Sequence, residues 1–278
     1  MRGPKRQQHG RPQRPQRPAQ HAAAPDCLLI GRNALEETLR CAPARIQRIF
    51  VAANDAGAGS ESDGPRRADL LQLIKESGIE TQNVPRDVLR NIFGSDSHQG
   101  FGAVLKQRQY LELKNFINGD KDETHGLVVL LDSINDPHNF GAILRAAECF
   151  GAKAVLFSRN RGSGLTPVVT KSASGASELV PLIQVSNLAE SAEKLHAAGY
   201  WLVGADCGAD SQDLSQYRFP EKTALVLGSE GEGLHNLMRR KLDFKVRIGM
   251  CGQIDSLNVS QATAVFLGAY RNQHAYVA

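Results

Sequence analysis

Short apolar runs and helical spacing alternate through the second half of the chain. The runs at 127–131, 154–157, 180–185, 201–205, 224–227 and 245–248 predict strands. Several lack polar alternation, the pattern of strands buried on both faces of a parallel sheet. Between them, apolar residues at helical spacing predict helices over 138–150, 167–177, 187–198, 233–241 and 259–272. This alternation predicts a doubly wound α/β domain over residues 125–278. In such sheets ligands bind at the carboxyl ends of the strands.

A shorter pattern precedes it. Ala34, Leu35, Thr38 and Leu39 predict a helix over 32–41, and β-branched and aromatic residues predict a strand over 46–53. Leu70, Leu71, Leu73 and Ile74 predict a helix over 68–77 that Gly78 stops. A strand over 79–84, a helix over 85–92 and a strand over 102–106 complete a small α/β unit, residues 26–105. The stretch 54–65 is rich in Gly, Ser and Asp and reads as a mobile loop. Residues 106–124 are polar and charged and read as a linker.

Residues 1–25 break both patterns. Arg-Pro-Gln repeats and five prolines leave no large apolar side chain after Met1, so they read as a disordered basic tail. The tail holds six basic side chains and no acid. The rest holds 27 basic against 29 acidic, so the formal net charge of +4 belongs to the tail. The tail reads equally as a loose attractant for phosphates or as a solubilising extension.

Composition narrows the class. Hydrophobic residues at 41% and charged residues at 22% allow a packed core and exclude global disorder. The run 126–131 is far shorter than the ~18 apolar residues of a membrane span, so no membrane partner is expected. Five scattered cysteines without CxxC spacing, and no histidine at ligand spacing, argue against a disulfide scaffold or a bound metal. A reducing, cytoplasmic compartment is expected, and no apolar N-terminal stretch suggests a signal peptide.

Three segments begin where predicted strands end. In the first, 130–152, Asn135-Asp136-Pro137 cap a helix that Gly151 ends. Arg145 stands six residues beyond Asn139, about 9 Å along a helix axis, where a guanidinium can hold a phosphate or oxyanion. A capped turn and a surface charge describe the same residues. The second, 224–234, carries Gly228, Glu230, Gly231, Glu232 and Gly233. Glycines let a backbone approach a ligand, and the helix that follows exposes free N–H groups. The two glutamates disfavour a polyphosphate and favour hydroxyls or positive charge. A tight strand-to-helix connection accounts for the glycines equally well. The third, 247–271, brings Ser256, Leu257 and Asn258 into the last helix. Ser256 reads as its N-cap and Asn258 as an exposed first-turn residue.

Asn139 with Arg145, then Gly-Ser-Glu-Gly-Glu-Gly at 228–233, then Ser256-Leu257-Asn258-Val259-Ser260 resemble the signature motifs of the SpoU branch of the SPOUT RNA ribose methyltransferases. Order and spacing match across residues 125–272. Residues 26–105, including Gly31-Arg32-Asn33-Ala34 and Ser97-His98-Gln99-Gly100, look like the ribosomal-protein-L30-like substrate domain of one subgroup. That subgroup methylates a guanosine 2′-hydroxyl in the peptidyl-transferase region of 23S ribosomal RNA. The tail and the 54–65 loop depart from the compact family pattern. The resemblance implies a sheet tied into a trefoil knot, an exception to unknotted topology. It implies S-adenosylmethionine as cofactor, with Gly228, Ile248, Met250 and Leu257 lining its site. It also implies a catalytic set of Asn139, Arg145, Glu230, Ser256 and Asn258, and a homodimer.

The implied reaction is attack of a ribose 2′-oxygen on a sulfonium methyl, for which the protein supplies alignment and proton removal. A neutral guanidinium at pH 7 costs roughly 7 kcal/mol. Arg145 is therefore read as holding the substrate phosphate and stabilising the developing alkoxide, the proton leaving through phosphate or water. Asn139, Ser256 and Asn258 orient the ribose and Arg145. The rival readings are a transfer-RNA methyltransferase and a non-catalytic assembly factor bound to ribosomal RNA. The complete catalytic set favours an enzyme. The small N-terminal unit favours 23S ribosomal RNA or a precursor particle, with Arg32, Arg45, Arg48, Arg66, Arg67, Arg86 and Arg90 meeting phosphates.

Overall fold

In this computed structural model the described residues are 27–53 and 65–274. The 1–25 tail, and all but the last residue of the 54–65 loop, lie outside them. Apolar side chains distributed over two faces build a four-stranded sheet from β1 (Leu28–Ile30), β2 (Ile46–Ala52), β3 (Thr81–Val84) and β4 (Phe101–Leu105). Helices α1 (Arg32–Cys41), α2 (Pro65–Ser77) and α3 (Arg86–Phe93) cover it. Strand order is β1-β4-β2-β3, with β4 antiparallel to β1 and β2, and β3 parallel to β2. Leu29, Ile49 and Ala103 pack with Leu35 and Leu70, while Ile30, Phe50 and Ala52 pack with Leu89 and Phe93.

The larger sheet follows. Its strands are β5 (Gly126–Asp132), β6 (Ala154–Ser158), β7 (Leu182–Val185), β8 (Trp201–Ala205), β9 (Gln212–Asp213), β10 (Lys222–Gly228) and β11 (Phe244–Arg247). Around them lie α4 (Leu113–Gly119), α5 (Pro137–Cys149), α6 (Pro167–Ala173), α7 (Ala176–Leu179), α8 (Leu188–Ala197), α9 (Asn236–Arg239) and α10 (Val259–Gln273). The order is β7-β6-β5-β10-β8-β11-β9, and every pairing is parallel. Burial on both faces explains the unbroken apolar runs. On β5, Leu127, Val129 and Leu131 join a core with Ile143 and Phe266, and Val128 and Leu130 join one with Ala192 and Leu195. Each such side chain contributes about 1.5–3 kcal/mol on full burial. No helix among the described residues is long and apolar enough to cross a membrane.

Departures from the sequence pattern have local causes. The helix expected over 167–177 is two, because Ser174 and Gly175 take φ of 48° and 88°. The helix expected over 233–241 shrinks to α9. Gly233 is tied back to Ser229, and the His235 N–H donates to Asp132 at 2.8 Å. The polar stretch 106–124 contains α4, whose Phe116 is buried beside Tyr200. One buried aromatic among charges gives no visible period. β1 and β9 are too short to show one.

The two sheets meet through α6 and α7. Buried Thr170 donates to the Leu28 carbonyl at 3.3 Å, and Lys171 Nζ donates to the Ser97 carbonyl at 3.0 Å. Arg45 and Arg108 both pair with the buried Glu178 carboxylate. This corrects the expectation for two of the N-terminal arginines, Arg45 and Arg67. Arg45 belongs to the junction. Arg67 is buried, donates to the Ala52 carbonyl at 3.3 Å and lies 5.0 Å from the Phe101 ring centre. Arg48 pairs with Glu80 and Arg90 with Asp96.

Candidate active site

The carboxyl ends of β8, β10 and β11 surround a cavity of about 550 Å³. Gly228, Ile248, Met250 and Leu257 line it, as do Glu230, Ser256 and Asn258. Asn139 and Arg145 stand outside this lining. The loop after β10 owes its form to backbone chemistry. Ser229 and Gly233 exchange two backbone hydrogen bonds of 3.1 and 2.9 Å, so Glu230, Gly231 and Glu232 project as a tight turn. A Cβ on Gly228 would lie 2.3 Å from the Gly233 carbonyl carbon. The close approach that requires glycine at 228 is thus the loop folding back on its own strand.

One carboxylate oxygen joins all three sequence segments. Glu230 Oε1 accepts from Asn139 Nδ2 at 3.0 Å, from Asn258 Nδ2 at 2.7 Å and from the Val259 N–H at 3.4 Å. Asn258 Nδ2 also donates to Asn139 Oδ1 at 2.9 Å. Asn139 is buried on α5. Neutral amides and the first turn of α10 thereby hold a negative charge with no cation paired to it among the described residues, which charge-assisted hydrogen bonds and the helix dipole permit.

The cap of α10 differs from the expectation. Asn258, not Ser256, is the N-cap: its Oδ1 accepts from the Ser260 N–H at 2.9 Å and from Ser260 Oγ at 2.6 Å. An amide side chain reaches the free N–H while its nitrogen serves Glu230, which a serine could not do. Ser256 is exposed on the cavity wall and, among the described residues, makes no hydrogen bond. Arg145 is exposed on α5 and likewise makes no hydrogen bond or ion pair among the described residues.

Sequence reasoning passed over Asp132 and Ser133. Asp132 ends β5 almost fully buried, and its Oδ2 takes the His235 N–H. Ser133 holds φ at 65°, a left-handed conformation that costs a non-glycine residue of order 1–3 kcal/mol. An acid closing a continuous apolar strand was the available signal. A second cavity, about 460 Å³, opens over the carboxyl ends of β5, β6 and β7, with Asp132, Ser158 and Ser186 in its lining.

Comparison with known proteins agrees with this geometry. Residues 126–268 match the SpoU rRNA Methylase family, and residues 28–111 match the RNA 2′-O ribose methyltransferase substrate binding family. The chain is 38% identical to the 23S rRNA (guanosine-2′-O-)-methyltransferase RlmB of Ralstonia nicotianae, over 86% of this chain and 93% of that one. It is 34% identical to a Staphylococcus haemolyticus protein of the TrmH family, over 90% and 97%, whose name spans tRNA and rRNA methyltransferases. Its fold resembles that of the SpoU methyltransferase AviRb from Streptomyces viridochromogenes, solved with AdoMet. The TM-score is 0.70 at 23% identity, covering 89% of this chain and 90% of that one. With both family matches, these identities and a site that joins the three motifs, the chain belongs to the SpoU rRNA methylase family.

Proposed function

We propose that this protein methylates the ribose 2′-hydroxyl of a guanosine in 23S ribosomal RNA, with S-adenosylmethionine as methyl donor. The observation that carries the reading is the Asn139–Glu230–Asn258 network at the wall of the 550 Å³ cavity. The cavity suits that cofactor. Leu227, Val246, Ile248, Leu257 and Phe266 offer apolar contact to a flat base, and Glu230, Glu232 and Asp255 offer negative charge to a sulfonium, Asp206 being paired with Arg239. Gly228, Ile248, Met250 and Leu257 would hold it, and when bound it supplies an electrophilic methyl group with a neutral thioether leaving group.

The chain's own residues then align the acceptor. Glu230 fixes both asparagine amides, so Asn139 and Asn258 are positioning residues. Arg145 has a guanidinium free to take the substrate phosphate and stabilise the developing alkoxide. Ser256, also free, donates or accepts at the ribose. The proton leaves through phosphate or water.

The reading extends to a cytoplasmic homodimer, with residues 26–105 as the RNA-binding domain, 106–124 as a connector and 125–278 as a methyltransferase domain whose C-terminal part is knotted. Support for the dimer is apolar surface outside the cofactor contacts, Ile254, 77% exposed, and Val265. The large side chains of α10 give less support, since Phe266, Leu267 and Tyr270 are buried within the chain.

The test is to incubate the protein and labelled S-adenosylmethionine with 23S ribosomal RNA, and separately with transfer RNA, from a strain lacking the gene. One 2′-O-methylguanosine in 23S RNA is expected. Methylation of transfer RNA alone moves the substrate. Cofactor binding without transfer to either supports an assembly factor.

A further inference from the structure

From the second cavity, over the carboxyl ends of β5, β6 and β7, we infer a site for an RNA nucleotide flanking the methylated one. The inference rests on the methyltransferase reading. The two cavities lie on opposite sides of the strand pair β5 and β10, separated by the turn that runs from Gly228 to His235. The cofactor reading uses one of them. The other is as large as a nucleotide needs and has no role in that reading.

Its lining has three parts that suit single-stranded RNA: an apolar contact for a base, a hydrogen-bonding floor and a cation for the backbone. Leu237 is 58% exposed beside buried Met238 and Leu188, which gives a base an apolar plate. The floor is Asp132, 5% exposed, with Ser158. Asp132 Oδ2 accepts from the His235 N–H, while Oδ1, among the described residues, has only the Ser133 hydroxyl at 3.5 Å. An acceptor there suits a base edge that presents N–H donors, and guanine presents two side by side. At the rim, Arg161 is exposed and makes no hydrogen bond or ion pair among the described residues.

The rim is built. Gly162 takes φ of 98°, and a Cβ there would lie 2.8 Å from the Ile134 carbonyl oxygen. The next N–H, of Ser163, donates to that same carbonyl at 2.7 Å. The loop after β6 is thus pinned to the segment after Asp132, which sets Arg161 beside the cavity. Ser133, the strained residue, stands between floor and pin.

The experiment uses the full chain saturated with S-adenosylmethionine and short RNAs containing the target guanosine. Leu237→Ser and Arg161→Ala should each raise the KM for RNA by about five- to tenfold, with kcat and cofactor affinity unchanged. Removing the base of the flanking nucleotide should cost the wild type a similar factor and cost Leu237→Ser nothing further, because plate and base act as one contact. Asp132→Asn, which keeps an acceptor for the His235 N–H, should reduce the preference for guanine at that position. Wild-type KM in both Leu237→Ser and Arg161→Ala overturns the inference while the methyltransferase reading stands. No methylation of any RNA by the wild type removes the reading beneath it. Equal losses from base removal in the wild type and Leu237→Ser place the flanking base elsewhere and overturn it too.

Discussion

The two ends of the seven-stranded sheet each carry a carboxylate with several donors, and the donors differ in kind. At the amino ends of β5, β6, β8 and β10, buried Asp120 receives Lys153 Nζ at 2.6 Å, Lys222 Nζ at 2.7 Å and Tyr200 Oη at 2.8 Å. At the carboxyl ends, Glu230 receives two neutral amides and a backbone N–H. The first arrangement neutralises its charge and closes the sheet. The second leaves the negative charge standing beside a cavity, while Arg145 on α5 and Arg161 after β6 make no hydrogen bond or ion pair among the described residues. Stability is concentrated at one end, and the capacity to bind charged ligands at the other. Parallel sheets permit this division because all strands end on the same side.

The largest expected effect attacks the closed end. Asp120→Ala takes the carboxylate from two lysines and a buried tyrosine hydroxyl; Lys153 keeps Glu123 and Lys222 keeps the residue-120 carbonyl, but the Tyr200 hydroxyl loses its acceptor. Removing one partner of a buried charged cluster costs about 3–5 kcal/mol. Burial by itself would raise the Asp120 carboxyl, but the hydrogen bonds from Lys153, Lys222 and Tyr200 outweigh it and hold the group below the usual carboxylate range. A lowered folded-state pKa means that the stabilisation is complete above the ordinary carboxylate value, about 3.9, and is lost as pH falls through that value and the lower folded one. Urea midpoints at pH 7 and in acid check both points. The wild type should lose its advantage over Asp120→Ala in acid, and methylation per folded molecule should be equal.

Next comes the open end. Arg145→Ala should lower methyl transfer by about 100-fold, with the melting temperature and S-adenosylmethionine affinity near wild type. Single-turnover methylation and calorimetry decide it. Near-normal turnover takes Arg145 out of the reaction. Glu230→Ala should act more weakly, by about tenfold if its role is to orient Asn139 and Asn258, and Glu230→Gln should restore part of the loss because an amide oxygen still accepts. A Glu230→Gln loss as deep as that of Glu230→Ala would show that the charge itself is needed.

What was legible in the sequence follows the same contrast. The carboxyl-end residues could be found because each segment begins where an apolar run stops, and runs are visible. Asn139, Glu230 and Asn258 lie in those segments, and the resemblance to the SpoU motifs singled them out; their shared oxygen was not visible, since no period reports a contact between residues so far apart in sequence. Asp120 was hidden in a polar stretch that reads as linker, and its burial depends on Phe116 and Tyr200 closing over it. The cap of α10 was misplaced by two residues because serine and asparagine cap equally well on local grounds. Glu230, distant in sequence, decides between them. Arg67 looked like a phosphate contact because sequence cannot show that an arginine stem lies against Phe101.

The smallest effect tests the arginines of the four-stranded unit. Arg32, Arg66 and Arg86 make no side-chain hydrogen bond or ion pair among the described residues, and Arg32 and Arg66 share a shallow depression. Arg67 is buried and engaged. If residues 26–105 grip RNA through the free cations, replacing all three with alanine removes up to three phosphate contacts. The slope of log affinity against log salt should then fall by about 2, at about 0.7 per contact for single strands. The melting temperature should move little, because Arg66 and Arg86 are exposed and the half-buried Arg32 makes no side-chain hydrogen bond or ion pair among the described residues. Arg67→Ala should do the reverse, lowering the melting temperature and leaving the salt slope intact. Filter binding across a salt series, beside thermal unfolding, separates the two. An unchanged slope in the triple variant would take Arg32, Arg66 and Arg86 out of the RNA surface.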